Sequence, residues 1–214
     1  MQNKLLLLTF AKILKDMSKI KVILGTAHDE LTPGKCSPDK SIREYQYSRD
    51  MCRRIQAILK QKGIDCFIDI EGNREISLQN RCNIVNRYCA QYGSKNCLYV
   101  SIHLNAAGNG DWMNARGFSV WVSNNASQNS KIMARIICDN AIKKNLMGNR
   151  CIPSTKYWQA NFYVLRGTNC PAILTENLFQ DNRQDVNFLL SETGKETLAN
   201  LHVESIMEYI KLKG

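Results

Sequence analysis

The sequence predicts an α/β fold: a single domain built on a twisted, mostly parallel central sheet of about six strands, with helices on both faces. Three observations predict it. Short apolar runs alternate along the chain with longer segments whose apolar residues recur at helical spacing. Neither an internal repeat nor a domain linker interrupts that alternation over 214 residues, a length that suits one hydrophobic core. The composition is that of a folded chain, 44% hydrophobic and 22% charged with only 4 Pro and 12 Gly, which excludes collagen-like, repeat-array and largely disordered chains.

Residues 1–16 read as an extension ahead of a domain over 17–214. Leu5 to Phe10, after Lys4, imitates a signal peptide, but Lys12 and Lys15 break the apolar character beyond Phe10 and no small-x-small cleavage site appears. Met17 opens Met17-Ser-Lys-Ile-Lys-Val directly before the first strand, so the extension is either weakly signal-like or a dispensable helix. Val22 to Gly25 is the first strand, followed by Thr26-Ala27-His28. A breaker-rich loop, Thr32 to Asp39, leads to Ser41, which is expected to cap a helix with Ile42, Tyr45, Cys52, Ile55 and Leu59 inward and Lys62-Gly63 as its stop. Cys66 to Ile70 is the second strand, and Ser77 to Tyr92 the second helix, ended by Gly93.

Leu98 to His103 is the third strand and Gly117 to Val122 the fourth. Gln128 to Lys144 is an amphipathic helix through Ile132, Ile136 and Ile137. Phe162 to Leu165 and Ala172 to Thr175 are read as two further strands, and a closing helix runs through Leu198, Leu201, Ile206 and Ile210.

Charge and cysteines bound the function. With 29 Lys+Arg against 19 Asp+Glu the formal charge is +10, which suits a polyanionic partner: nucleic acid, anionic membrane or bacterial cell wall. The 9 Cys are odd in number and form no CxxC pair, which argues against a disulfide framework or zinc ribbon and for synthesis in a reducing compartment. Cys52, Cys66, Cys82 and Cys89 have core spacing, and Cys151 and Cys170, in loops, have no apparent catalytic partner. No apolar run reaches the roughly 18 residues of a membrane span, so stable membrane insertion is not expected.

Ligand sites of open α/β sheets lie outside the carboxyl ends of the strands. Three strands end there in groups suited to metal chemistry: His28 after the first, His103 after the third and Glu176 after the last. Glu44, in the first turn of the helix after strand one, projects toward the same edge. Two imidazoles and a carboxylate make a catalytic zinc set with one position open for water. His28, Glu44 and His103 are therefore the candidate ligands, with Asp29, Glu30 and Asp39 as rival carboxylates. Glu176, at the end of an apolar strand where an unpaired carboxylate is costly, is the candidate general base. His202, in the closing helix, reads as a surface or packing residue.

These residues carry a resemblance. The Pro-Gly loop leading to Ser41-Ile42-Arg43-Glu44 and the run Ile76-Ser77-Leu78-Gln79-Asn80-Arg81 with Asn86 are its first pieces after His28. Then come Val100-Ser101-Ile102-His103-Leu104-Asn105-Ala106, Arg116-Gly117-Phe118, Val164-Leu165-Arg166 and Pro171 through Phe179 with Asn182. In that order, from about residue 20 to the C-terminus, the chain resembles the zinc-dependent N-acetylmuramoyl-L-alanine amidases of the type 3 family. The resemblance implies one Zn²⁺ held by His28, Glu44 and His103, with Glu176 as catalytic carboxylate. It implies hydrolysis of the amide between N-acetylmuramic acid and L-alanine in peptidoglycan. Two places depart from the family pattern: Gly-Thr-Ala-His-Asp-Glu stands where Gly-His-Gly-Gly is common, and Asn177-Leu178 stands where a Gly-Phe pair is usual.

Substrate contacts are expected on both sides of this centre. The loop Ser154 to Asn161, with Trp158, is expected to wall a glycan-peptide groove, and Arg116 and Arg166 to meet carboxylates of the stem peptide. Some relatives carry an inserted helix that covers the zinc; only a short loop separates Lys144 from Phe162 here, which implies an open site. A monomer acting on the cell wall, in the periplasm or outside the cell, is expected, as a phage-type lysis enzyme or a host autolysin. The alternatives are a zinc peptidase of similar architecture and a basic nucleic-acid-binding domain, the latter without any Arg/Lys-rich helix or RNA-binding signature to support it.

Overall fold

The computed structural model describes residues 19–74 and 76–213; the expectations for residues 1–16 lie outside them. The elements run β1 (Lys21–Thr26), α1 (Glu44–Gln61), β2 (Cys66–Ile68), α2 (Leu78–Tyr92), β3 (Cys97–Asn105), β4 (Ser119–Val122), α3 (Gln128–Lys143) and β5 (Trp158–Gln159). They finish with α4 (Tyr163–Arg166), β6 (Ala172–Phe179), α5 (Arg183–Leu190) and α6 (Glu192–Lys213). The six strands form one sheet in the order β2-β1-β3-β6-β4-β5. All neighbours are parallel except β4 and β6. Among the described residues no helix is long and apolar enough to cross a membrane.

Alternation along the strands divides the core. Leu98, Val100 and Ile102 of β3 join Val22, Leu24, Val120 and Ile173 in a large cluster with side chains of α1, α3 and α6. The residues between them face the other way. Ile23, Tyr99 and Leu174 meet a smaller cluster with Val85 of α2 and Val164 of α4. Because α2 and the single turn of α4 cover only part of that second face, the later residues of β3 and β6 on it, Ser101, His103 and Glu176, open onto a cavity.

Several elements differ from the sequence expectation. Ser41 does not cap α1; the N-cap is Arg43, without a side-chain bond. Ser41 is used in a preceding turn, where Asp39 Oδ1 accepts from Ser41 N (3.0 Å), Ser41 Oγ (2.7 Å) and Ser37 Oγ (2.7 Å). Phe162 to Leu165 is not a strand: Arg166 N donates to Phe162 O (3.2 Å) and Gly167 N to Tyr163 O (2.8 Å), closing one helical turn. A short apolar run cannot by itself tell the two apart, and the edge strand lies instead at Trp158–Gln159. Helix α5 has no counterpart among the elements expected from sequence, although Asn182 marks its start by accepting from Gln184 N and Asp185 N, both at 3.1 Å.

The strands that carry His103 and Glu176 run further than expected. His103 lies within β3 and Glu176 within β6, paired in register, and the ladder then breaks in a bulge before Asn105 meets Phe179. Leu178 in that bulge has φ 70°, a left-handed conformation that a Cβ makes costly. The strands therefore do not end at these residues; the bulge alters the pairing directly beyond them.

Candidate metal centre and active site

The site is assembled from three elements. His28 follows β1 by two residues with φ 44°. Arg49 of α1 holds this turn: Nη1 donates to Ala27 O (2.9 Å), Nη2 to His28 O (3.0 Å) and Nε to Gly72 O (2.8 Å). One turn earlier on the same helix, Glu44 is fully buried. Ser48, four residues on, joins the helix to both strands, accepting from Ala27 N (2.8 Å) and donating to Ile102 O (2.6 Å). Glu44 is thus delivered to His103, whose Nδ1 lies 3.1 Å from Glu44 Oε1, while Leu104 N donates to the same oxygen at 3.1 Å.

The other carboxylate oxygen is the informative one. Glu44 Oε2 is buried with no hydrogen-bond partner, 3.6 Å from His28 Nε2 and 4.0 Å from Lys35 Nζ. An unsatisfied carboxylate oxygen in a protein interior costs several kcal/mol unless a cation meets it. One ligand atom from each of His28, Glu44 and His103 falls within 4.8 Å of the others. The Glu44 carboxylate bridges the two imidazoles, Oε1 at 3.1 Å from His103 and Oε2 at 3.6 Å from His28, an arrangement compact enough for one small cation to reach a donor of each residue. The two rings meet edge to face at 5.4 Å, and Ser101 Oγ, 3.1 Å from His103 Nε2, fixes the ring from its far side.

Electrostatics agree with a cation site. Burial, aided by His103, Lys35 and Arg81, lowers His28 to about 4, leaving its lone pair available at neutral pH. Burial pushes Glu44 upward, but the bond from His103 and the positive surroundings outweigh it, and the group is held below its ordinary value. Glu176 behaves oppositely. It is part-exposed at the cavity floor, yet its Oε2 is shut from solvent without a partner, and burial raises it to about 7 against the pull of His103, Lys35 and Arg150. The cavity, about 240 Å³, is lined by His28, His103 and Glu176 together with Lys35, Ser101 and Tyr163.

The sequence profile of the N-acetylmuramoyl-L-alanine amidases matches residues 22–208. The chain belongs to that family. It is 30% identical over 199 residues to the endolysin of Bacillus phage SPP1, a match covering 92% of this chain and 68% of that one. It is 24% identical over 196 residues to the sporulation-specific N-acetylmuramoyl-L-alanine amidase of Bacillus subtilis, covering 91% and 69%. The crystal structure of N-acetylmuramoyl-L-alanine amidase from Clostridium difficile 630 superposes with a TM-score of 0.78 at 26% identity, covering 92% of this chain and all of the other. Membership decides among the readings left by the sequence: the chain is a peptidoglycan amidase.

In this amidase His28, Glu44, His103 and Glu176 come together, and the rival carboxylates do not join them. Asp29 accepts from Leu31 N (3.0 Å) and Thr32 Oγ1 (2.6 Å), while Asp39 is held down to about 2 by the hydroxyls of Ser37 and Ser41. Arg116, Trp158 and Arg166 do not line the cavity. Arg116 borders a cleft of about 310 Å³ beside Leu178 and Asp185. Arg166 borders a separate cleft of about 640 Å³ with Asn124, Ser127 and Asn169, which none of the four site residues touches. Trp158 lies against Trp121 in the sheet, ring centroids 6.0 Å apart.

Residues missed in the sequence support the site. Lys35 overhangs it from the Pro-Gly loop, and a basic residue between breakers gives no signal of its own. Arg81 ends one buried network, donating to Asp69 Oδ2 at 2.7 Å, and Tyr99 Oη donates to the same oxygen at 3.1 Å. A Cβ at Gly25 would collide with the Tyr99 hydroxyl, so glycine there lets the ring cross β1. Asn177, next to Glu176, donates from Nδ2 to His103 O at 3.0 Å. The quoted motifs contain Arg81 and Asn177, but only the fold gives them partners.

Proposed function

We propose that His28, Glu44 and His103 hold one Zn²⁺ in this amidase and that Glu176 is its general base and general acid. The observation that carries the proposal is Glu44 Oε2, buried and without a hydrogen-bond donor between two imidazoles. When bound there, Zn²⁺ supplies Lewis-acid chemistry, lowering the pKa of water and stabilising negative charge on the carbonyl oxygen. His28 offers a neutral ring nitrogen, Glu44 a negative charge that offsets the dication, and Leu104 N–H and Ser101 Oγ keep Glu44 and His103 in place. Glu176, poised near neutrality by its enclosed position, takes the proton of the attacking water and returns it to the leaving nitrogen of L-alanine. The enzyme acts as a monomer on the wall, and its positive charge of +10 draws it to anionic wall polymers.

The test digests purified peptidoglycan with and without a chelator and identifies products by mass. Freed stem peptides beginning at L-alanine, intact glycan strands and loss of turnover on chelation are expected. Digestion that persists in full after the metal is stripped overturns the zinc reading. In a companion measurement His28→Ala and His103→Ala should each lose stoichiometric zinc by elemental analysis.

A further inference from the structure

Three arginines of this chain have side chains wholly or partly withdrawn into the site face and its supports, and one of them lacks a partner. Arg49 donates to four carbonyl contacts and Arg81 to Asp69. Arg150 differs. Its Nε is cut off from solvent with no hydrogen-bond acceptor, and no carboxylate among the described residues lies within ion-pair reach. Leaving a guanidinium nitrogen buried and unpaired is costly; the terminal Nη groups are not shut in with it and have no acceptor among the described residues, so they are the donors an outside acceptor can meet.

Arg150 does not line the 240 Å³ cavity itself, but its charge acts on Glu176 from beside it, and the side chain is held there by a fixed turn. Arg150 N donates to Met147 O (3.0 Å), and Asn149 clamps the turn to the segment before β4, accepting from Arg116 N (2.9 Å) and donating to Asn114 O (2.9 Å). Backbones approach so closely at Gly117 and Gly148 that a Cβ on either would strike the other's segment. From this fixed turn the guanidinium carbon reaches 5.1 Å from the Trp158 ring centre and 5.3 Å from that of Phe179.

Register places those rings relative to the chemistry. Ser119 and Trp121 of β4 pair with Glu176 and Leu174 of β6, and Trp158 of β5 pairs with Trp121. Directly paired residues share a face, so Trp158, and Arg150 stacked on it, lie on the face that carries Glu176. The order across the sheet is His28 just beyond β1, His103 on β3, Glu176 on β6 and then, past β4, Arg150 over β5. The group that protonates the leaving nitrogen thus stands between the metal centre and Arg150, which puts the peptide side of the scissile bond toward the guanidinium.

We propose that Arg150 binds a free carboxylate of the stem peptide, on the acidic residue that follows L-alanine, and so makes the amidase prefer stems in which that carboxylate is not amidated. The proposal rests on the amidase reading of the site. Guanidinium and carboxylate meet through paired parallel hydrogen bonds, whereas a carboxamide presents an N–H to one of those donors.

The test uses the full, zinc-loaded chain and two soluble muramyl peptides that differ only in having that group as carboxylate or carboxamide. A kcat/KM ratio of about 10- to 100-fold in favour of the carboxylate is expected for the native chain, expressed mainly in KM. Arg150→Gln should bring the ratio to near one. Arg150→Lys, which keeps the charge and loses the fork, should give an intermediate ratio and covers the case in which the Gln variant folds poorly. Equal rates on both substrates for the native chain overturn the proposal, as does a Gln variant that keeps the native ratio. A pH profile displaced by Arg150→Lys would assign the residue to Glu176 and overturn it as well. If the native chain cleaves neither peptide nor intact peptidoglycan, the amidase reading fails and the proposal with it; cleavage without discrimination sinks the carboxylate anchor alone.

Discussion

The two faces of the β3–β6 pair put the same kinds of side chain to opposite uses. On the open face His103 and Glu176 sit side by side with carboxylate oxygens left without a hydrogen bond: Glu44 Oε2 beside the imidazole and Glu176 Oε2 on the strand. On the covered face Thr175 meets His202 of α6 and the bonds of the imidazole are complete, with Asn177 Oδ1 the one atom of the cluster left without a partner. His202 Nδ1 lies 2.8 Å from Leu198 O, so it carries the proton, and Nε2 accepts from Thr175 Oγ1 at 3.0 Å. Asn177 Nδ2 donates to the same hydroxyl at 3.1 Å. Both ring nitrogens are bonded in each histidine; the difference is that His103 adjoins a buried carboxylate whose second oxygen has no hydrogen bond, a charge that calls for a cation, while neither nitrogen of His202 meets an acid. The contrast lies in the partners, since both environments are enclosed.

The comparison can be broken first at Glu176. Replacement by Gln keeps the shape and removes the proton acceptor, so kcat should fall by about 10²- to 10⁴-fold, with zinc content unchanged. Turnover within tenfold of the native value would remove Glu176 from the chemistry. On the covered face the effect should appear in stability instead. Burial lowers His202 to about 4, from 6.5; the neutral form is the folded one, and the unfolded chain binds the proton more readily. Its stabilising contribution is therefore complete above pH 6.5 and is lost as pH falls toward 4, by roughly 2–3 kcal/mol between pH 7.5 and 4.5. Denaturation across that range should show His202→Phe losing less stability on acidification than the native chain by about this amount. An equal loss in both would mean that His202 is not buried neutral. Smallest is Thr175→Val, expected to cost about 1 kcal/mol while leaving kcat/KM on peptidoglycan within about threefold; a large rate loss would show that the two faces are coupled through Asn177.

Much of the fold was legible because periodicity reports burial. The runs Val22 to Gly25 and Leu98 to His103 and the helix from Gln128 needed only their own apolar spacing. Phe162 to Leu165 failed because four apolar-rich residues fit either a strand or a turn of helix, and tertiary contacts with α2 settled it. Ser41 failed because Asp39 competes for it. At the site the residue types were legible in the two histidines and the carboxylates. The motif order then brought Glu44 forward over Asp29 and Asp39, which the structure ties up in local turns.

By itself the sequence determined the alternation of strands and helices, the family, and which side chains have the chemistry to bind a metal and move a proton. Those properties reside in residue type and spacing. Only the tertiary structure decided that Glu44 Oε2 and Glu176 Oε2 are buried without hydrogen bonds, that His202 is satisfied, and that Arg150 comes close to both the Trp158 and Phe179 rings. Hydrogen bonding and desolvation depend on atoms brought together from distant parts of the chain, and no local pattern of residues contains them.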